Sequence, residues 1–300
     1  MGQCLVHDAD RRDLTGRPMD MMPALFIGHG SPMNTLELNG YTRAWRRLGK
    51  ALPRPRALLV VSAHWFIGAT AVTAMARPRT IHDFYGFPDE LFAFQYPAPG
   101  LPELAGEIAE VVKPHWVGAD QDQWGLDHGT WSVLAHLFPD ADVPVVQLSI
   151  NALQPMDYHL ELGSRLSALR GQGVMIVSSG NVVHNLRKID RHNPDGGTDW
   201  AQRFDDAVVD QMLRDPGGIL NVLQHPDYDL AVPTPDHFIP LLHIAGLAAA
   251  GGGAAPLLRG YAMGSLSMTC YGVGTESLPC EEAAGSATMP EGVPADQTNI

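Results

Sequence analysis

Three histidines of this 300-residue chain each follow a short apolar run that ends in a small residue or a turn. They are His29 after 24–28, His64 after 57–63, and His184 after the run 173–178 and the turn that follows it. Such runs are typical of buried strands, and open α/β sheets bind ligands beyond the carboxyl ends of their strands. Because neutral imidazole is a common ligand of zinc and iron, the pattern predicts a metal site at one sheet edge.

His128 and His237 also stand beside glycine or proline. His128 lies in the glycine-containing loop 123–131, which leads into a helix predicted over 132–137. Pro233 and Pro235 restrict the backbone before His237 and help to hold that residue in place. A single histidine at a strand end is more often structural than a ligand, but several at one edge favour metal binding.

The sequence lacks the motifs of several other catalytic sites. No H-E-x-x-H or C-x-x-C spacing occurs, which excludes the common zinc-protease and zinc-finger patterns. The serines at 178–179 do not form the nucleophile elbow G-x-S-x-G, and the glycines at 28 and 30 are not followed by a P-loop lysine.

The elements that must position these histidines alternate between strands and helices, which predicts a single α/β domain with a central, mostly parallel sheet flanked by helices. Its metal site would lie at the carboxyl ends of the strands. The domain is predicted over 22–274, with disordered tails at 1–21 and 275–300. The predicted helices are 41–52, 102–112, 132–137, 156–169, 199–213 and one ending at 250; the strands beyond the three runs are 69–75, 143–150 and 264–273.

The aromatic-rich loop 80–100 is either a hydrophobic plug or the wall of a pocket for a flat ligand.

Composition narrows the class of partner. The formal net charge of −13, from 33 acidic and 20 basic residues, argues against nucleic acid or an anionic membrane as a partner. The sequence contains neither a long apolar run nor the apolar core of a signal peptide in its first twenty residues. Three irregularly spaced cysteines indicate no disulfide framework, so a reducing cytoplasm is the expected location.

Six motifs occur in an order that resembles a known family. They are HGSPMN at 29–34, SAHW at 62–65, HDFYGFP at 82–88, LDHGTW at 126–131, SSGNVVHNL at 178–186 and PDHFIPLL at 235–242. Together they resemble the class III extradiol ring-cleaving dioxygenases, in the DOPA 4,5-dioxygenase-like branch. The resemblance extends over about 22–273 and makes the predicted domain a catalytic dioxygenase domain.

This resemblance implies a mononuclear non-haem Fe(II) site, which zinc often occupies in isolated proteins. His29, His64 and His237 match the metal ligands of the branch. His184 matches the general acid/base and is a candidate fourth ligand, and His128 matches a second active-site histidine that contacts substrate or dioxygen. The implied reaction opens a catechol ring, as in DOPA, with O2.

The third ligand differs from the two-histidine, one-carboxylate pattern of many class III enzymes, because His237 stands at that place. The neighbouring Asp236 is then a candidate partner of the ligand rather than a ligand itself.

The sequence also allows two other functions. The first is a zinc hydrolase with Asp236 or Asp127 as the general base. The second is a non-enzymatic binding protein on the same fold. The sequence does not identify the catechol, the residues that bind its side chain, the native metal, the oligomeric state, or whether translation starts at Met1 or at Met21 or Met22.

Overall fold

The computed structural model describes residues 21–275, 278–285, 287 and 289–298. Most of the N-terminal tail predicted over 1–21 therefore lies outside the described residues. Within the described residues the strands are β1 Ala24–Gly28, β2 Ala57–Ile67, β3 Ala71–Thr73, β4 Gly118–Asp120, β5 Val145–Asn151, β6 Val174–Gly180, β7 Ala255–Arg259, β8 Tyr261–Ala262, β9 Leu266–Ser267, β10 Cys270–Val273 and β11 Glu281–Glu282. The α-helices there are α1 Gly40–Ala51, α2 Asp89–Ala93, α3 Pro102–Val111, α4 His128–Leu137, α5 Met156–Arg170, α6 Asp199–Arg214, α7 Tyr228–Ala231 and α8 Ile239–Ala249. Short 3-10 helices cover Pro32–Thr35, Leu186–Lys188, Pro216–Gln224 and Ala295–Gln297.

The described strands form a large sheet in the order β11-β7-β10-β1-β6-β2-β5-β3-β4 and a separate hairpin of β8 and β9. At the centre of the large sheet, β1, β6, β2 and β5 run parallel. Every residue of β1, β5 and β6 is buried, as expected for parallel strands that are covered by helices on both faces. The predicted α/β domain with a mostly parallel sheet is confirmed.

The helix that was predicted over 132–137 begins four residues earlier, at His128. Asp127 is its N-cap, and its carboxylate accepts a 3.1 Å hydrogen bond from the backbone N–H of Thr130. His128 therefore lies on the first turn of a helix instead of in a loop, and the helix fixes its backbone.

His64 lies within β2, although the sequence predicted a strand that ended at 63. Regular pairing with β6 ends at Ser62, opposite Ser179. The pairing of β2 with β5 shifts register between Val61 and Phe66, so His64 occupies an irregular stretch of strand.

The last predicted strand, 264–273, is divided into β9 and β10, and β7 was not predicted. Met263 and Gly264 have φ values of +51° and +76°, which turn the chain between β8 and β9. A side chain at 264 would strain this turn.

The sequence predicted a disordered tail over 275–300, and the described residues of that range differ from this prediction. β11 pairs with β7 as an additional strand, and the backbone N–H of Gly40 donates to the Ala284 carbonyl over 3.1 Å. Ala287 and Met289 are buried. Backbone pairing and these two buried side chains thus join the described part of the segment to the domain, although it lacks the periodicity that predicts an element.

The aromatic loop is a plug in the core on one face of the sheet. Phe84, Phe87, Leu91 and Tyr96 are all buried and pack with α1 and α4 residues. Of the two interpretations of this loop, the structure supports the hydrophobic plug. In the described part of the chain, no helix is long and apolar enough to span a membrane.

Candidate metal centre

The ends of β1 and β6 bring three of the predicted histidines together. The backbone N–H of His29 donates to the Gly180 carbonyl over 3.1 Å, and that of Asn181 donates to the His237 carbonyl over 2.9 Å. A Cβ on Gly180 would overlap the His237 carbonyl, so only glycine lets the two segments approach this closely. These bonds join the turns that carry His29, His184 and His237.

The imidazole rings of His29, His64 and His237 lie close together. Nε2 of His29 lies 3.4 Å from Nε2 of His64. The His237 ring centroid lies 5.3 Å from that of His29 and 5.0 Å from that of His64. Two nitrogens that are each about 2.1 Å from one ion, at a tetrahedral angle, are about 3.4 Å apart. Nε2 of His29 and Nε2 of His64 therefore already have the spacing of two ligands of one metal.

His184 and His128 flank this trio on different sides. The His184 ring stacks on the His237 ring, with centroids 3.5 Å apart and planes within 2°. His128 is fully buried, and its ring centroid lies 3.8 Å from that of His64. Among the described residues, His29, His64 and His128 each have a ring nitrogen within 4.8 Å of the other two, and no such group includes His237. Distance alone therefore favours His128 over His237 as the third ligand.

Hydrogen bonds fix which nitrogen each ring offers. The Ser179 hydroxyl donates to the Gly129 carbonyl, so its oxygen must accept from Nδ1–H of His29, 2.9 Å away. The Asp236 carboxylate likewise accepts from Nδ1–H of His237. Both rings then carry the lone pair on Nε2, which is the usual tautomer of a histidine that binds metal. The predicted partnership of Asp236 with His237 is confirmed.

Nε2 of His237 is buried and, among the described residues, has no hydrogen-bond partner. A buried polar atom without a partner is costly unless a ligand satisfies it. The imidazole nitrogens of this cluster thus fit a first-row divalent metal that prefers nitrogen ligands.

Asp83 serves two of the histidines at once. Its Oδ1 lies 3.0 Å from Nδ1 of His128 and its Oδ2 lies 3.6 Å from Nδ1 of His64. Oδ1 also accepts a 3.0 Å hydrogen bond from the backbone N–H of His128. Burial raises the pKa of Asp83, but the contacts with His128 outweigh this effect and hold it below its ordinary value.

Burial keeps the central imidazoles neutral. The pKa values of His29 and His64 are well below their ordinary value, first because of burial and then because of the neighbouring histidines. Only neutral imidazole can bind a metal, so the site favours the ligand form of both rings at neutral pH.

A cleft of about 570 Å³ opens onto the centre. Its walls include His64, His184 and His237 together with Phe66, Asn185, Arg187, Thr234 and Asp296. His29 and His128 lie deeper, behind this surface. The cleft therefore gives a ligand access to one side of the histidine cluster.

Sequence reasoning did not assign roles to Ser179, Asp83, Arg187 or Asp296. Asp83 lies within the motif at 82–88, and Ser179 lies within that at 178–186, so their motifs were visible but their partners were not. Asp296 lies in a segment without periodicity, and the sequence contains no signal that would have found it.

Comparisons with known proteins agree with this geometry. Residues 24–276 match the family model described as the catalytic LigB subunit of aromatic ring-opening dioxygenase. The chain is 48% identical over 260 residues to a 4,5-DOPA dioxygenase extradiol of Escherichia coli K12. The aligned residues cover 84% of this chain and 95% of that protein. It is 35% identical over 245 residues to the 4,5-DOPA dioxygenase extradiol of Beta vulgaris, over 79% of this chain and 90% of that protein.

A crystal structure of an uncharacterized protein from Escherichia coli K12 has the same fold. It superposes with a TM-score of 0.74 at 45% sequence identity, over 84% of this chain and all of the other. The match of the family model over most of the chain, together with these relatives, establishes the class of enzyme: the chain belongs to the family of aromatic ring-opening dioxygenases represented by the catalytic LigB subunit.

Proposed function

We propose that this protein is an extradiol dioxygenase that opens the ring of a DOPA-like catechol with O2 at a mononuclear Fe(II) site. We assign His29, His64 and His237 as the metal ligands, His184 as the general acid/base, and His128 as a residue that contacts substrate or dioxygen. Zn(II) is the metal that we expect to compete for the site in the isolated protein.

One observation carries the proposal: an oxygen occupies Nδ1 of both His29 and His237, which leaves the lone pair on Nε2, and Nε2 of His29 lies 3.4 Å from Nε2 of His64. Three protein ligands leave coordination positions for a substrate that binds through two oxygens and for dioxygen. The names of the relatives, which are extradiol DOPA dioxygenases, support the same assignment.

When bound, Fe(II) supplies coordination of the catechol oxygens and the redox chemistry of dioxygen. The protein supplies geometry and proton transfer. His184 lines the cleft beside His237, where it can accept the proton of a catechol hydroxyl and return it later in the reaction. Its ring stacks on that of His237, with centroids 3.5 Å apart, which supports a position for His184 beside the cleft.

His128 has a different environment, which supports a different role. It is buried on the first turn of α4, and its Nε2 has no hydrogen-bond partner among the described residues. This nitrogen can therefore contact a bound molecule, while Nδ1, on the other side of the ring, lies 3.0 Å from Oδ1 of Asp83. Phe66 lies on the cleft wall and offers an aromatic surface for the catechol ring.

The zinc-hydrolase alternative needs a carboxylate that is free to act as general base. Asp236 is engaged by His237, and Asp127 caps α4 and accepts a hydrogen bond from Gln147. Burial, reinforced by the charge of Asp83, raises the pKa of Asp127 to about 6. Neither carboxylate is placed as a free base in the cleft, so the geometry favours the dioxygenase.

The test is oxygen uptake by protein loaded anaerobically with Fe(II), measured with a panel of catechols. We expect one O2 to be consumed per ring opened and a yellow semialdehyde to form. Protein loaded with Zn(II) should consume none. Hydrolytic activity that depends on zinc would support the first alternative, and the absence of turnover with any catechol would support a binding protein.

A further inference from the structure

We propose that Arg187 and Asp296 form a subsite for the head group of an α-amino acid, with Arg187 binding the carboxylate and Asp296 binding the ammonium. The inference rests on the proposed function, since it concerns the side chain of the catechol that enters the same cleft. It names the two residues that would bind the amino-acid end of such a catechol.

The charges on the cleft wall provide the first argument. Besides the histidines, the charged side chains among its described lining residues are Arg187, Asp236 and Asp296. Asp236 is occupied by Nδ1 of His237. Arg187 and Asp296 remain, with opposite charges and no part in orienting the histidines. A zwitterion matches this pair, whereas an uncharged catechol would leave both groups unused.

The geometry of the pair provides the second argument. Nε of Arg187 lies 3.6 Å from Oδ2 of Asp296, and the two side chains are 80% and 41% exposed. Such an exposed ion pair contributes little to stability. A guanidinium has five N–H donors, so the remaining donors of Arg187 can bind a carboxylate bidentately while Asp296 stays beside it.

Position along the chain connects this pair with the reaction centre. Arg187 follows His184 by three residues, at the 3-10 helix Leu186–Lys188, so their Cα atoms are at most about 11 Å apart. The catechol ring can then lie against His184 while its side chain extends toward Arg187. The same short segment of chain would bind both ends of the substrate.

Asp296 belongs to a segment that lies beyond the part of the chain matched by the family model, which ends at 276. Hydrogen bonds hold this segment against the domain. The backbone N–H of Tyr85 donates to the Thr298 carbonyl over 3.0 Å, and Nη2 of Arg191 donates to the Pro290 carbonyl over 2.9 Å. The segment therefore completes the cleft wall with a carboxylate that the matched domain does not itself provide.

The experiment compares kcat/KM for four catechols with Fe(II)-loaded, full-length protein. L-DOPA carries both charges, 3-(3,4-dihydroxyphenyl)propanoate carries only the carboxylate, dopamine carries only the ammonium, and 4-methylcatechol carries neither. Arg187→Gln should lower kcat/KM roughly 10-fold to 100-fold for the two carboxylates alone. Asp296→Asn should lower it for the two amines alone. Both variants should leave 4-methylcatechol unchanged.

The matched control is the exposed ion pair between Arg214 and Asp210 on α6, which lies outside the cleft lining. Arg214→Gln and Asp210→Asn remove the same charges and should not change the ranking of the four substrates. An equal loss for all four catechols in the Arg187 and Asp296 variants would indicate a structural role and overturn the proposal. Unchanged L-DOPA kinetics in both variants would also overturn it.

Failure of the proposed function would look different, because the wild-type protein would then turn over none of the four catechols. Calorimetric titration of the wild type and variants under nitrogen tests the subsite without turnover. Tighter binding of L-DOPA than of 4-methylcatechol, lost in Arg187→Gln and Asp296→Asn, would support the subsite even then. Equal binding of the two catechols by the wild type would overturn it.

Discussion

Oδ1 of Asp83 lies 3.0 Å from Nδ1 of His128, while Oδ2 of the same carboxylate reaches toward Nδ1 of His64. One side chain from the aromatic loop thus carries its charge beside a histidine on β2 and another on α4. Asp83 itself is 12% exposed, so water competes little for its oxygens. The loop acts as a hydrophobic plug and also supplies the carboxylate that aligns part of the centre.

Asp83→Asn should weaken Fe(II) binding by roughly 10-fold to 100-fold and lower turnover, because it removes the negative charge beside Nδ1 of His64 and of His128. Titration of metal-free protein with Fe(II) under nitrogen measures the affinity without relying on activity. Asp122→Asn, in an exposed loop, is the control. An unchanged affinity in Asp83→Asn would show that the rings hold their orientation without the carboxylate.

Single alanine variants of the central histidines should identify the third ligand. His237→Ala should purify with much less metal than wild type, as should His29→Ala and His64→Ala, because each removes one of the three proposed ligands. His128→Ala should retain its metal. Metal content measured by elemental analysis decides the matter, and the reverse pattern for His237 and His128 would make His128 the ligand.

His184→Ala should separate metal binding from proton transfer. We expect it to hold iron nearly as well as wild type while ring opening falls by roughly 10²-fold to 10⁴-fold, the usual contribution of a general acid/base. Iron content and oxygen uptake, measured on the same preparation, give both quantities. Loss of the metal in this variant would instead identify His184 as a fourth ligand.

Ending the chain at Thr275 should lower the melting temperature. It removes β11 from the sheet edge, exposes the surface now covered by Met289, and breaks the bond between Gly40 and Ala284. Deletion of residues 1–20 is the comparison, and we predict that it leaves the melting temperature nearly unchanged. Scanning calorimetry of both truncations and of the full-length protein tests this. If the chain that ends at Thr275 melts at the same temperature as the full-length protein, the C-terminal segment adds no stability.

Two buried histidines away from the metal centre should make stability depend on pH. His159 on α5 and His243 on α8 have ring centroids 5.3 Å apart. Burial lowers the pKa of His243 to about 3 and that of His159 to about 4. In the unfolded chain both titrate near 6.5, so between about pH 4 and 6.5 the unfolded state binds more protons and stability falls as pH falls.

His243→Leu should reduce this slope by about 1.4 kcal/mol per pH unit near pH 5, the value for one proton. Urea unfolding at pH 4.5, 5.5 and 7.5 measures the slope, with metal-free protein so that the other site does not contribute through its metal. His192→Leu, at an exposed histidine, is the control. Parallel stability curves for His243→Leu and wild type would contradict the prediction.

The sequence alone determined the class of fold and the family. Apolar runs such as Ala24–Gly28 are local signals of buried strands, and glycine, serine and proline mark where such strands end. The order of motifs around His29, His64, His128, His184 and His237 indicated the family before any contact was known. Helix α1 could also be predicted closely, because its amphipathic pattern is local.

Tertiary structure decided which nitrogen each ring offers and what surrounds the centre. The partners of His29 and His64 are Ser179, 150 residues away, and Asp83, which comes from a loop without periodicity. No local pattern encodes such pairs, since they depend on which strand ends and loops the sheet order brings together. For the same reason the packing of Asp296 beside Arg187, 109 positions apart in the chain, could be found only in the folded structure.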